Sequence, residues 1–448
     1  MTRNRPAPTR RGFLALAGSA ALAGCGGFGG GSGDEGASID ATALRKAVSG
    51  DAPTVPEPAP VEIERSYLDR TTARVREQLS SVPAPFDSRE VPNGAIRAEL
   101  TRMHEEATAE LRTALDEQTR VETMERLRRA RERARAVAAA WEAIDAGLAA
   151  AEVRATIPRV RADLDAFQRR WRYVGDRPVR AVVAHAQVEE LVAFANHRLR
   201  RVDERASGRR AGENPVAVGK FAGDVESARA ALADAEYLYD RYLASLADPR
   251  QIGSGLEAAG EALTSTLADR REGLPNGDSG NLLALLDRAV VGTPVAYALD
   301  ELGDVDYADG LEDERATGRR ASVVLSVHET LVRIRAFERL RERASNGGRL
   351  TVESADDVRA VRRAAIAAVE EVRDSRSHPL LDRRTLQVAD GIGYADREIA
   401  RAAENRTDGG VRVEWLTREL SRYFEIAAQA RATPETSAAV AEVVRSRV

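Results

Sequence analysis

The sequence predicts an all-α protein, a multi-helix antiparallel bundle with long helices. Three observations carry that expectation. Apolar residues recur at steps of three and four from about Val61 onward, and no alternating run is long enough for a sheet. Alanine is abundant while aromatics are only 4% of the chain. That balance favours closely approaching helices and disfavours carbohydrate-binding or nucleotide-stacking surfaces. Turn signals punctuate the chain at Gly208 to Pro215, Asp248-Pro249, Pro275-Asn276-Gly277, Asn346-Gly347-Gly348 and Asp408-Gly409-Gly410.

The chain begins with a segment of another kind. Arg3, Arg5, Arg10 and Arg11 precede an apolar stretch, Phe13 to Ala23, too short to span a bilayer, and small residues lead to Cys25. That order reads as an export signal ending in a lipid attachment site. Thr9-Arg10-Arg11-Gly12-Phe13-Leu14 and Leu22-Ala23-Gly24-Cys25 resemble the twin-arginine lipoprotein signals common in halophilic archaea and also found in bacteria; the resemblance extends no further. It implies a signal peptide over residues 1–24 that is removed, a lipid on Cys25, and a body held on the outer face of the membrane. The alternative is an uncleaved anchor helix, or an ordinary signal in which Cys25 is incidental. Cys25 is the only cysteine, so the exported body has no disulfide framework, and thiol catalysis and cysteine metal sites are excluded.

Cleavage before Cys25 leaves 424 residues, enough for roughly two or three domains. The mature charge is near −8, and arginine carries nearly all the positive charge, since Lys46 and Lys220 are the only lysines. Guanidinium groups fork well onto carboxylates, and this usage fits a GC-rich genome or a salty habitat. At molar salt the Debye length falls to about 3 Å, so long-range steering counts for little.

In chain order, Gly26 to Gly36 reads as a glycine-rich tether. Ile39 to Val48 fits one short helix, and Pro53, Pro56, Pro58 and Pro60 read as an extended spacer, so residues 25–60 form the linker and the body begins near Val61. A first helix over 61–79 ends at the proline-rich loop 82–93. A long-helix region occupies 61–174, with a break near Asp116 to Arg120 and a new helix or kink at Pro158. Within it Leu127, Ala130, Ala134, Val137, Trp141, Ile144 and Leu148 form a heptad seam. Residues 175–448 read as shorter helices with a candidate internal duplication, 182–273 against 322–409, which predicts two superposable three-helix units. Ser354 with Asp357 fits an N-terminal capping pair.

Candidate chemistry is sparse. Among the five histidines, none has the Glu three residues earlier that a carboxylate-bridged di-metal bundle requires. His185 and Glu189 share a helix face and are the weak metal candidates, but two ligands do not make a site. No cofactor is implied. Residues 212–220 mimic a phosphate loop with misspaced glycines and no preceding strand, and Gly253-Ser254-Gly255 lacks the nucleophile-elbow pattern. Arg126, Arg128, Arg129, Arg131, Arg133 and Arg135 spread around one helix among Glu122, Glu125 and Glu132, which favours a salt-bridged face over nucleic acid or headgroups. Asn405-Arg406-Thr407 is an N-glycosylation acceptor pattern.

The sequence therefore leads to a non-enzymatic, lipid-anchored extracytoplasmic bundle with a structural or partner-binding role, the membrane as its first partner, a protein as a candidate second partner, and no nucleic acid. The 127–148 seam is its candidate interaction surface. The alternative is a ligand- or metal-capturing lipoprotein beside a membrane transporter, which requires an interhelical pocket. The third reading, a hydrolase with acid–base carboxylates, requires a deep polar cleft with shifted carboxyls.

Overall fold

In the computed structural model the described residues are 38–207, 214–272, 274, 292–304, 308–346, 351–375, 377–405 and 410–448. Cys25, Arg10 and Arg11 lie outside them. The body begins earlier than Val61. Strand β1 (Ser38–Ile39) pairs antiparallel with β4 (Val411–Arg412). Helix α1 (Ala41–Ala47), capped by the Asp40 carboxylate accepting from the Ala43 amide at 2.8 Å, buries Leu44 and Ala47. The proline-rich segment that follows is no free spacer. Gln387 Nε2 donates to the Val55 carbonyl at 3.3 Å, Gln187 Nε2 to Pro58 at 3.0 Å and Arg180 Nε to Pro60 at 2.8 Å. Val55, Val61 and Ile63 are buried. Residues 48–63 thus form a strap that starts on the C-terminal half and finishes on the N-terminal half.

The N-terminal half comprises α2 (Arg65–Ser80), α3 (Gly94–Asp116), α4 (Arg120–Asp145), α5 (Ala150–Ala155), α6 (Ile157–Arg170), α7 (Pro178–Ser207) and α8 (Pro215–Ala244). Thr119 starts α4 with a reciprocal capping box to Glu122, which fixes the expected break. Pro158 sits in the first turn of α6, where its missing N–H costs nothing.

Helix α4 lies inside the bundle, against α2, α3 and α8. Leu127, Ala130, Ala134 and Val137 are fully buried, and Trp141, Ile144 and Leu148 are half-buried against core clusters of the same chain. This narrows the expected interaction seam: from Leu127 to Val137 the heptad face marks burial by helices of the same chain, and only Trp141, Ile144 and Leu148 keep partial exposure. Its small residues do admit a close neighbour. A Cβ on Gly219 of α8 would overlap the Ala136 carbonyl oxygen and lie 2.6 Å from Ala140 Cβ, and one on Gly223 would lie 2.9 Å from the Glu132 carbonyl oxygen. Gly219, part of the stretch that mimics a phosphate loop, is there to let two helices touch.

The α4 arginines are all paired, some across to other helices and some along α4 itself. Arg126 reaches Glu117, Arg128 reaches Asp234, Arg129 reaches Glu125, Arg133 reaches Glu106 and Arg135 reaches Glu142. Arg131 is buried and forks onto the equally buried Glu226 of α8 at 3.0 and 2.7 Å.

The C-terminal half comprises α9 (Gly253–Glu272), α10 (Pro294–Gly303), α11 (Ala308–Ala316), α12 (Arg320–Ser345), α13 (Ala355–Asp374), α14 (Pro379–Thr385), α15 (Asp390–Glu404) and α16 (Thr417–Arg447). Ser354 and Asp357 make the expected capping box on α13. Helix α16 is the axis, packed by α9, α10, α12, α13 and α15. Arg362 of α13 forks onto buried Asp396 of α15, which also accepts from Tyr423 Oη of α16 at 2.6 Å. The same guanidinium donates to the Gly50 carbonyl at 2.8 Å, fixing the start of the strap.

Two expectations about organisation are corrected. The boundary at 175 moves to about 250, because α7 packs along α8 and α8 packs on α4, and β2 (Val174–Gly175) pairs with β3 (Arg250–Gln251) at the junction. The duplication fails as architecture: α7 and α8 pack along each other, whereas α12 and α13, their proposed counterparts, pack on α16 instead. Among the described residues, no helix is long and apolar enough to cross a membrane.

Candidate functional site

A cleft of about 900 Å³ opens between the two halves, and the strap forms part of its wall. The strap contributes Glu57 and Pro58, α4 contributes Glu125, Arg128 and Arg129, α7 contributes Glu190 and Phe194, α12 contributes Ser326, Glu329 and Thr330, and α14 contributes Arg384. Each element arrives for a local reason already given. The strap is pinned by side chains donating to its carbonyls, α4 is locked by its capping box, and α14 begins at Pro379.

Six carboxylates and six guanidiniums line the cleft, so its wall is balanced in charge. The balance is uneven locally. Burial, followed by the like charges of Glu125 and Glu190, pushes the Glu57 carboxyl up to about 6, with the Arg384 guanidinium opposing the rise. Arg384 is already engaged, donating from Nε to Glu329 at 2.7 Å and lying 3.8 Å from Glu190. The guanidinium carbons of Arg128 and Arg198 lie over the Phe194 ring, 5.3 and 5.1 Å from its centre.

Glu57 makes a pH prediction. A carboxyl whose pKa is raised by folding contributes most below about pH 4.5, and that contribution is lost as pH rises through about 6. Glu57→Gln should therefore be more stable than the parent above pH 6, by about 1 kcal/mol after discounting for solvent exposure, and equal to it below pH 4.5. Urea unfolding at both pH values checks this; a difference that does not change with pH contradicts the assignment.

The weak metal candidates do not line this cleft as ligands. His185 is fully buried and accepts from the Trp171 indole N–H at Nδ1, 3.1 Å. Indole nitrogen can only donate, so the imidazole hydrogen is on Nε2, which donates to the Val174 carbonyl at 2.8 Å. Burial pulls this histidine down to about 4. Glu189 receives four hydrogen bonds: from Tyr173 Oη at 2.7 Å, the Ala321 amide at 2.9 Å, and the Ser322 amide and hydroxyl at 2.6 Å each. It caps the N-terminus of α12 from the other half of the protein, a junction role. Among the described residues no three His, Cys, Asp or Glu side chains converge as a metal requires.

Ser437 Oγ lies 3.0 Å from His328 Nε2, and neither residue lines the cleft. Both are fully buried, so a substrate in the cleft does not reach that hydroxyl. Asn405 is exposed at the end of α15, while Arg406 and Thr407 lie outside the described residues. Sequence reasoning missed Glu57 and the strap; the one available signal was the apolar Val55, Val61 and Ile63 set among the prolines.

The two halves coincide with what the chain resembles. Residues 66–248 match a family described as a domain of unknown function (DUF8262), and residues 253–442 match a second, also described as a domain of unknown function (DUF8264). No curated protein and no solved structure gives a significant match. The chain is thus similar to two families in tandem, joined at the β2–β3 pair, with the cleft at their junction.

Proposed function

We propose that this protein is a lipid-anchored, extracytoplasmic helical protein that captures a small charged ligand in the cleft between its halves. The observation that carries the reading is the cleft itself: about 900 Å³, the size of a small-molecule site, walled by both halves and by the strap. Six carboxylates and six guanidiniums, interspersed with Leu191, Phe194 and Leu238, suit a ligand that bears both charge signs on an apolar frame. For the scaffold reading the seam offers less surface, because Leu127, Ala130, Ala134 and Val137 are buried within the chain and Trp141, Ile144 and Leu148 are half-buried.

The anchor and the site are tested separately. Cys25→Ser should move the protein from the membrane fraction to the soluble fraction; unchanged retention contradicts the anchor. Native mass spectrometry of protein isolated from its host membranes should show a small-molecule adduct that Thr330→Trp, which fills the cleft from α12, abolishes. An adduct that survives Thr330→Trp places the ligand elsewhere.

A further inference from the structure

We propose that the end of the body formed by Trp415, Tyr394 and their arginine partners rests on the lipid bilayer. The inference builds on the lipid anchor and adds the orientation in which the anchor holds the body. The described chain begins at Ser38, whose strand pairs with Val411–Arg412, so the tether reaches the body beside this face. Only thirteen residue steps separate Cys25 from Ser38, a contour of at most about 45 Å. A face that near a membrane meets it at high effective concentration, so weak contacts suffice.

The face has the chemistry of a membrane interface. Trp415 is 50% exposed and Tyr394 46% exposed, in a chain where Trp141 and Trp171 are half-buried. Each ring carries a guanidinium: Arg412 lies 5.7 Å from the Trp415 ring centre and Arg422 4.9 Å from that of Tyr394. Arg418 is exposed one turn after Trp415, on the side that leads to Arg422. Aromatic rings with a polar edge settle at the level of headgroups, and arginine stems bury while their heads reach phosphate. The apolar insertion persists in high salt, where bare charge attraction is screened.

The single thiol provides a test that does not depend on processing in the host. The full chain is coupled through Cys25 to a maleimide-bearing lipid in vesicles of phosphatidylcholine and phosphatidylglycerol with brominated acyl chains. Bromine should quench wild-type tryptophan emission more than that of Trp415→Phe, and the excess should vanish in unbrominated vesicles. Equal quenching of the two proteins overturns the proposal. So does concentration-dependent self-association that Trp415→Phe abolishes, because a second copy would then cover the face. Circular dichroism of the variant confirms its fold. Loss of native acylation at Cys25, read by intact mass, refutes the anchor independently of the vesicle result.

Discussion

Glu226→Ala should destabilise the protein by about 3–5 kcal/mol, because it leaves the Arg131 guanidinium buried without its carboxylate. Glu226 is 1% exposed and Arg131 6% exposed, and the pair makes two hydrogen bonds between α8 and α4. Arg74 approaches the same carboxylate at 3.2 Å from a solvent-facing position, so it has water as an alternative and Arg131 does not. The double substitution Arg131→Met with Glu226→Leu removes both charges and keeps apolar volume, and should recover most of the loss. Urea midpoints of the two proteins check the account. A double variant as unstable as the single one would place the damage in packing.

Gly219→Val should cost about 3 kcal/mol or more, through steric overlap alone. Its first added carbon already overlaps the Ala136 carbonyl oxygen, which belongs to backbone and cannot rotate away, and Ala140 closes the other side. Gly223→Ala also meets backbone, the Glu132 carbonyl oxygen at 2.9 Å, with Ala136 Cβ at 3.0 Å, but the overlap is shallower, so the two helices must part by less and the loss should be smaller. The order of the two, read from thermal unfolding, is the checkable outcome. Equal tolerance of both would mean that α4 and α8 do not approach as closely as described.

Features written in local residues were legible in the sequence. The all-α fold follows from periodicity; the break before Arg120 follows from Thr119 and Glu122, the α6 start from Pro158, and the α13 start from Ser354 and Asp357. Features that depend on distant partners were not. A heptad face says that Leu127 to Val137 is covered, and cannot say by which helix. An extended proline segment reads alike whether it hangs free or, as here, lies under Gln187, Gln387 and Arg180. His185 and Glu189 share a helix face, yet Glu189 answers to α12, more than a hundred residues on. The cleft required both halves in place, so nothing in one stretch of sequence could announce it.

The account rests on the cleft being a binding site. A crystal structure of protein purified from its host membranes tests this most directly. Non-protein density in the cleft against Glu57, Glu125 and Arg384 is the predicted result. A cleft holding only ordered water, with the strap unchanged, would contradict it.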